Sequence, residues 1–85
     1  MRKVAFVPAA FEDFIQWSNT DKKTYSKIVD LIKDIQRDPF KGLGKPEILK
    51  HDLNGMWSRR ITNIHRLVYE VTGEEVVIIS CKFHY

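Results

Sequence analysis

Residues 20–39, TDKKTYSKIVDLIKDIQRDP, carry the strongest periodic signal in the chain. Apolar side chains recur there every three or four positions, the spacing that gathers them on one face of an α-helix. These positions are Tyr25, Ile28, Val29, Ile32 and Ile35. Thr20 or Asp21 is suited to cap the start of this helix. The helix must end by Asp38, because Pro39 disfavours a helical conformation at the residue before it.

A strand and a shorter helix are predicted upstream of this segment. Residues 2–7 alternate loosely between apolar and polar side chains, which indicates a strand. Pro8 fits the first turn of a helix, where its missing N–H has no partner to lose. This helix, predicted to end near Asn19, has a stripe of Phe11, Phe14, Ile15 and Ser18. The two helices together predict a helical hairpin.

Downstream of Pro46 the apolar period becomes two, which is typical of strands. Four strands are predicted, at Ile48–Leu53, Met56–Asn63, Ile64–Val71 and Val76–His84. Asn54-Gly55 and residues 72–75 provide hairpin turns. The predicted fold class is α+β: an N-terminal strand, a two-helix hairpin, and then a mostly antiparallel sheet of about four further strands.

Alternation along the last two strands predicts which side chains face the helices. That group contains Leu67, Tyr69, Val71, Val77, Ile79, Cys81 and Phe83. The opposite side of the sheet, called the open face below, is predicted to carry Arg66, Lys82 and His84. Glu47 has the parity of Leu49 and Leu53, so it is expected at the start of its strand, just after Pro46.

Composition restricts the function classes. The chain has 85 residues and a net charge of +3, and it is predicted to be a single domain spanning residues 1–85. Its one cysteine, Cys81, excludes an internal disulfide and fits a reducing cytoplasm. No apolar run approaches the ~18 residues of a membrane span. The N-terminus also lacks the pattern of a secretory signal, so a cytoplasmic protein without a membrane partner is expected.

Several kinds of chemistry have no support in the sequence. The three histidines, His51, His65 and His84, are 14 and 19 residues apart, so no pair has metal-ligand spacing on one element. Gly44-Lys45 resembles part of a phosphate-binding loop, but the motif's first glycine would fall on Pro39. We therefore predict no metal and no cofactor.

Acid–base chemistry on a phosphate ester is better supported. The stretch from Lys45 to Arg66 carries a local net charge of +3, which suits a phosphate-bearing partner. Glu47 is suited to accept a proton and His84 to donate one. Arg60 and Arg66 are suited to hold a phosphate with two hydrogen bonds each. The alternative is that these arginines are only solvated side chains on an exposed strand.

Four segments carry a family resemblance: residues 44–53, WSRRIT at 57–62, HRLVY at 65–69 and CKFHY at 81–85. The chain resembles the YoeB toxin family within the RelE superfamily of bacterial type II toxin–antitoxin systems. The resemblance implies a RelE-like fold and a toxin that cleaves mRNA in the ribosomal A site without a metal. It implies the following roles: Glu47 as general base, His84 as general acid, Arg66 as phosphate-stabilising residue, Tyr85 as the terminal tyrosine that completes the site, and Lys50 and Arg60 as basic site residues. Lys82 is added as a candidate RNA-binding residue. The chain has Asn63-Ile64 at positions where acidic residues are expected in the family.

The resemblance also implies partners. These are mRNA on the ribosome, a cognate antitoxin of the YefM type with a segment that folds on the toxin, and a second copy of the chain in a homodimer. Two other functions remain open at this point. The chain could be a non-catalytic module that binds the ribosome or nucleic acid, or a domain that only partners an antitoxin.

Overall fold

Two helices follow the first strand, as the sequence predicts. In the computed structural model, which describes residues 1–84, β1 spans Lys3–Phe6, α1 spans Pro8–Thr20 and α2 spans Lys22–Arg37. Asp21 separates the helices and caps α2, because its carboxylate accepts hydrogen bonds from the backbone N–H and the hydroxyl of Thr24. Across residues 1–84 neither helix has the length and apolar character needed to cross a membrane.

Four strands complete the sheet. They are β2 (Glu47–Ile48), β3 (Trp57–Arg60), β4 (His65–Val71) and β5 (Glu75–His84). The predicted strand at Ile48–Leu53 is wrong, since β2 stops after two residues and a 3-10 turn covers His51–Leu53. The backbone of His51 has a φ of 62°, a left-handed conformation that cannot continue a strand. The predicted strand at Met56–Asn63 is found but is shorter, ending at Arg60.

The five strands form one sheet in the order β1-β5-β4-β3-β2. β1 pairs with β5 in parallel, with Lys3 opposite Glu75, and all other neighbouring pairs are antiparallel. Both helices pack on one face of this sheet, where the apolar core lies. The α+β class and the mostly antiparallel sheet are therefore confirmed.

The alternation of β5 departs from the prediction because this strand has two more residues than the stretch of β4 it pairs with. Tyr69 lies opposite Ile78, whereas Val68 lies opposite Ser80 and Arg66 opposite Phe83. Each additional residue is a bulge that reverses which side chains face the helices. The prediction that Val77, Ile79 and Phe83 face the helices is therefore wrong, whereas that for Cys81 is confirmed.

The core shows the effect of these bulges. Val76, Ile78 and Cys81 are fully buried on the helix side, in place of the predicted Val77 and Ile79. The remaining core residues are Ala10, Ile28, Leu31, Ile35, Ile61, Leu67 and Tyr69. Cys81 was expected in the core, and its burial raises the pKa of its thiol to about 12. This thiol is therefore a packing group rather than a nucleophile.

One of the largest fully buried side chains is Arg59. Its guanidinium contacts the Tyr69 hydroxyl (3.1 Å), the Asp34 carboxylate (2.5 Å) and the carbonyl oxygens of Leu43 (3.1 Å), Asp38 (2.7 Å) and Lys41 (3.2 Å). These contacts provide acceptors for all three guanidinium nitrogens. Arg59 lies within the basic stretch from Lys45 to Arg66, but its own charge is buried and is not available to a phosphate-bearing partner. On β3 it lies opposite Leu67 and faces the helices.

The Asp34 carboxylate is the charge partner of Arg59 inside the protein. Hydrogen bonds from the Leu43 N–H, from Arg37 and from Arg59 lower the pKa of Asp34 from 3.8 to about 2. The stability contributed by this carboxylate is therefore fully present above pH 3.8 and is lost as the pH falls through about 2.

We expect Asp34→Asn to lower the free energy of unfolding by ~3–5 kcal/mol at neutral pH, because it leaves the Arg59 charge buried without a counter-charge. Urea unfolding of the wild type and the variant measures this difference. Asp30→Asn, at an exposed position of the same helix, should change it by no more than ~0.5 kcal/mol. Equal effects of the two substitutions would contradict the role of the buried pair.

Candidate active site

The strand register collects polar side chains on the open face of the sheet. Glu47 lies opposite Ser58 between β2 and β3, and Arg60 lies opposite Arg66 between β3 and β4. Directly opposed residues of antiparallel strands point to the same side of the sheet. Ser58 and Arg60 are two positions apart, so all four side chains share one face, opposite to that of Arg59.

An ion pair lies at the centre of this group. Arg66 Nη1 donates a hydrogen bond to Glu47 Oε1 at 2.7 Å and one to Ser58 Oγ at 3.3 Å. The Arg66 side chain is only 11% exposed, whereas that of Glu47 is 49% exposed. The cation is thus enclosed by the sheet, and the carboxylate beside it is open to a ligand.

Arg60 increases the positive charge next to this ion pair. Like charges directly opposite each other weaken a sheet, and the Glu47 carboxylate beside Arg66 offsets part of this repulsion. The two arginines, together with Thr62 and Asn63, line a cavity of about 240 Å³. Both guanidiniums can bind one oxyanion from this cavity, which makes it a candidate phosphate site.

A second cavity, of about 450 Å³, has Glu47 in its wall. It is lined by Glu47, Ile48, Leu49, Lys50, His51, Leu53 and Phe83. The predicted basic residue Lys50 is therefore close to the candidate base. Apolar walls with charged groups among them suit a ligand that has both a flat ring and a phosphate.

The backbone on both sides of Glu47 is strained. Lys45 and His51 have φ values of 52° and 62°, and these are the only non-glycine residues with positive φ among residues 1–84. Such conformations cost of order 1–3 kcal/mol each, and they concentrate at functional sites. Their position around the half-exposed carboxylate supports the choice of Glu47 as a site residue.

Two predicted site residues lie on the other side of the sheet. Lys82 contacts the Gln16 side chain on α1 and lies 5.1 Å from the centre of the Trp17 ring. His84 lies opposite His65, with the two ring centres 6.0 Å apart, and the His65 ring is 5.1 Å from that of Trp17. The prediction that Lys82 and His84 share a face with Arg66 is wrong, because the bulges place Phe83 there instead.

Tyr85, also predicted as a site residue, lies outside the described residues. Ser58, His51 and Phe83 were not predicted. Alternation within WSRR could have placed Ser58 on the same face as Arg60. The face of Phe83 depends on the bulges of β5, which the pattern of apolar residues does not reveal. Within residues 1–84, no three His, Cys, Asp or Glu side chains are arranged to hold a metal ion.

Comparisons with known proteins agree on one family. A sequence model of the YoeB-like toxins of bacterial type II toxin–antitoxin systems matches residues 6–85. Toxin YoeB of Escherichia coli strain K12 is 51% identical over 83 residues, which are 98% of this chain and 99% of that toxin. The solved YoeB dimer from Staphylococcus aureus has 47% identity and a TM-score of 0.91, over 99% of this chain and 98% of that one. In the heterotetrameric YoeB–YefM toxin–antitoxin complex from the same organism, the matching chain has 46% identity and a TM-score of 0.89, over 100% and 99% of the two chains.

We expect Glu47→Gln to lower the free energy of unfolding by ~1–2 kcal/mol, less than Asp34→Asn, because Arg66 is enclosed but the Glu47 carboxylate is half exposed and screened by water. Urea unfolding with the wild type as reference measures the change. A loss as large as that expected for Asp34→Asn would show that the ion pair is a structural element, like the one at Arg59.

Proposed function

Because this chain belongs to the YoeB-like toxins of bacterial type II toxin–antitoxin systems, we propose that it is a ribosome-dependent endoribonuclease that cleaves mRNA in the ribosomal A site. The observation that carries the proposal is the Glu47–Arg66 ion pair on the open face. It supports the proposal because a carboxylate that could accept a proton and a cation that could bind phosphate are in direct contact. A module that only binds RNA needs the cations but has no use for the carboxylate.

Glu47 is the proposed general base. Its carboxylate takes the proton of a 2′-OH, and the 2′ oxygen forms a bond to the neighbouring phosphorus. The bond from phosphorus to the 5′ oxygen then breaks. The upstream fragment ends in a 2′,3′-cyclic phosphate and the downstream fragment begins with a 5′-OH. Every group in this scheme is an amino-acid side chain, so the proposed reaction uses no metal.

Arg66 is the proposed ligand of the reacting phosphate. Its planar guanidinium carries several donors, so it can keep the bond to Glu47 while it binds the non-bridging oxygens. These oxygens gain negative charge in the transition state, and a fixed donor stabilises that charge without reorganising. Arg60 binds the same or the adjacent phosphate from across β3 and β4, and Lys50 attracts the strand at the rim of the larger cavity.

His84 is the proposed general acid, which returns a proton to the 5′ oxygen. It is exposed and lies one residue beyond Phe83, the residue opposite Arg66. In the free protein its ring is beside His65, so the proposal requires the end of β5 to turn when RNA binds. Tyr85 would complete the site as the family resemblance implies. Lys82, on the α1 side, is left out of the RNA-binding set.

The ribosome is proposed to position the message. A net charge of +3 gives weak and salt-sensitive attraction to RNA. The site on the described residues is a shallow sheet face that offers little to extend and hold a single strand. An mRNA that the ribosome holds in an extended conformation would present its reacting groups in alignment. Alignment of reacting groups raises a reaction rate more than added affinity does. A cytoplasmic location follows from this substrate.

The partners are proposed from the solved relatives. The Staphylococcus aureus toxins form a dimer and a heterotetramer with YefM. We infer that this chain forms a homodimer and binds an antitoxin of the YefM type. The similarity to those chains extends over nearly the full length, which supports this inference.

The test is cleavage of a defined message on programmed ribosomes. Wild-type protein should produce fragments with a cyclic phosphate and a 5′-OH, and Glu47→Gln should lower the rate by at least ~10². Glu12→Gln, at an exposed position of α1, is the matched control and should cleave normally. A message with 2′-deoxyribose at the scissile nucleotide should resist cleavage. Normal cleavage of that message would contradict 2′-OH attack.

A second prediction concerns the choice of Arg66 as the phosphate ligand. Arg66→Ala should lower the single-turnover rate on programmed ribosomes by ~10²–10³. Arg66→Lys should restore little of this rate, because one ammonium group cannot make the paired hydrogen bonds of the planar guanidinium. Lys82→Ala should stay within a few-fold of wild type, since Lys82 contacts α1. Near-normal cleavage by Arg66→Ala would transfer the role to Arg60.

A further inference from the structure

The position of Glu47 is not fixed by its own strand. β2 has two residues, and its ladder to β3 consists of the pairs Glu47–Ser58 and Ile48–Trp57. Leu49 adds one backbone hydrogen bond to Met56. So short a ladder leaves the backbone of Glu47 dependent on the segments beside it, and the one that precedes it is the better anchored. That chain is residues 38–46, called the 38–46 loop here.

The 38–46 loop is tied down from the buried side of the sheet by Arg59. Three of its carbonyl oxygens, those of Asp38, Lys41 and Leu43, accept hydrogen bonds from the guanidinium. Asp34, the charge partner of Arg59, accepts a further bond from the Leu43 N–H at 2.9 Å. Tyr69 contributes another tie, since its hydroxyl donates to the Pro39 carbonyl at 2.7 Å.

Gly44 joins this anchored loop to the strand that carries Arg59. Its carbonyl accepts a hydrogen bond from the Arg60 N–H at 2.7 Å. Its φ is 77°, and a Cβ there would come within 3.0 Å of the Leu31 side chain and the Arg60 carbonyl. The loop therefore lies directly against β3, and Glu47 follows three residues later.

From these contacts we propose that Arg59 is a positioning residue, which acts through the 38–46 loop to set the Glu47 carboxylate against Arg66. Arg59 touches no substrate, because it lies on the helix side of β3 between two residues of the open face, Ser58 and Arg60. The inference rests on the proposed function, and it extends it to a residue on the opposite side of the sheet. A displacement of ~1 Å at a reacting group can lower a rate by ~10².

The main variant is Arg59→Lys. Lysine keeps a positive charge near Asp34, but its three donors cannot serve two side chains and three carbonyls. We expect kcat on programmed ribosomes to fall by ~10–100-fold, with KM within a few-fold of wild type. Tyr69→Phe retains the buried ring but removes the tie to Pro39 and the acceptor of Arg59 Nε. The four other acceptors of Arg59 remain, so it should give a smaller fall in kcat. Arg37→Lys is the matched control, because Arg37 bonds Asp34 but is exposed and contacts no loop carbonyl.

A double-variant cycle separates positioning from general loosening. In the Glu47→Gln background the Arg59→Lys substitution should cause no further loss of kcat, because the carboxylate that Arg59 positions is already absent. A purely structural role would lower both backgrounds by the same factor. Near-UV circular dichroism and urea unfolding establish that each variant is folded under the assay conditions.

The outcomes are distinct. Normal kcat in folded Arg59→Lys and Tyr69→Phe, with Glu47→Gln inactive, would overturn the positioning role alone. Equal losses in the two backgrounds of the cycle would also overturn it. Normal cleavage by Glu47→Gln would overturn the proposed function, and the positioning role with it. If Arg59→Lys does not fold, Tyr69→Phe, alone and combined with Glu47→Gln, decides by the same criteria.

Discussion

A guanidinium that is removed from water must find acceptors for all its donors, and the Arg59 side chain meets this requirement by drawing together four parts of the fold. Asp34 comes from α2, Tyr69 from β4, and the carbonyl oxygens from the 38–46 loop. Burial also raises the pKa of Tyr69, so its hydroxyl remains a donor to Pro39. Removing one partner of a buried ion pair leaves the other charge buried and unpaired, so losing a single member of such a cluster strongly destabilises the fold.

Two adjacent arginines of β3 show how this constraint separates structure from chemistry. Arg59 faces the helices, is fully buried and pairs with Asp34, whereas Arg60 is exposed on the other face. The same alternation puts the Glu47–Arg66 pair on the open side, where the carboxylate is half exposed. The sheet thus divides its charged residues between one face that holds the chain together and one that is available to a ligand.

The helices were predictable because their signals are local. The caps, the apolar stripe of α2 and Pro39 all lie within the segments they determine. The open-face position of Arg66 was also within reach, because it follows from simple alternation along β4. The face of Glu47 was not, because this residue has the parity of Leu49 and Leu53. His84 and Lys82 were misplaced because two bulges in β5 reverse the alternation, and a bulge depends on the partner strand. Arg59 was misjudged because its acceptors are distant in sequence. Most of them are backbone carbonyl oxygens, which every residue has and which therefore give no signal in the sequence.

The parallel pairing of β1 with β5 has a consequence for how the molecule assembles. Lys3 meets Glu75 across almost the whole chain, whereas β3, β4 and β5 are joined by short turns. Contacts between distant residues require the closure of a long loop and form late in folding. The meander of β3, β4 and β5, which brings Arg60 beside Arg66, is therefore the part of the sheet that can form first. β1 lies at the edge of the sheet opposite to β2 and adds no side chain to the two cavities of the open face.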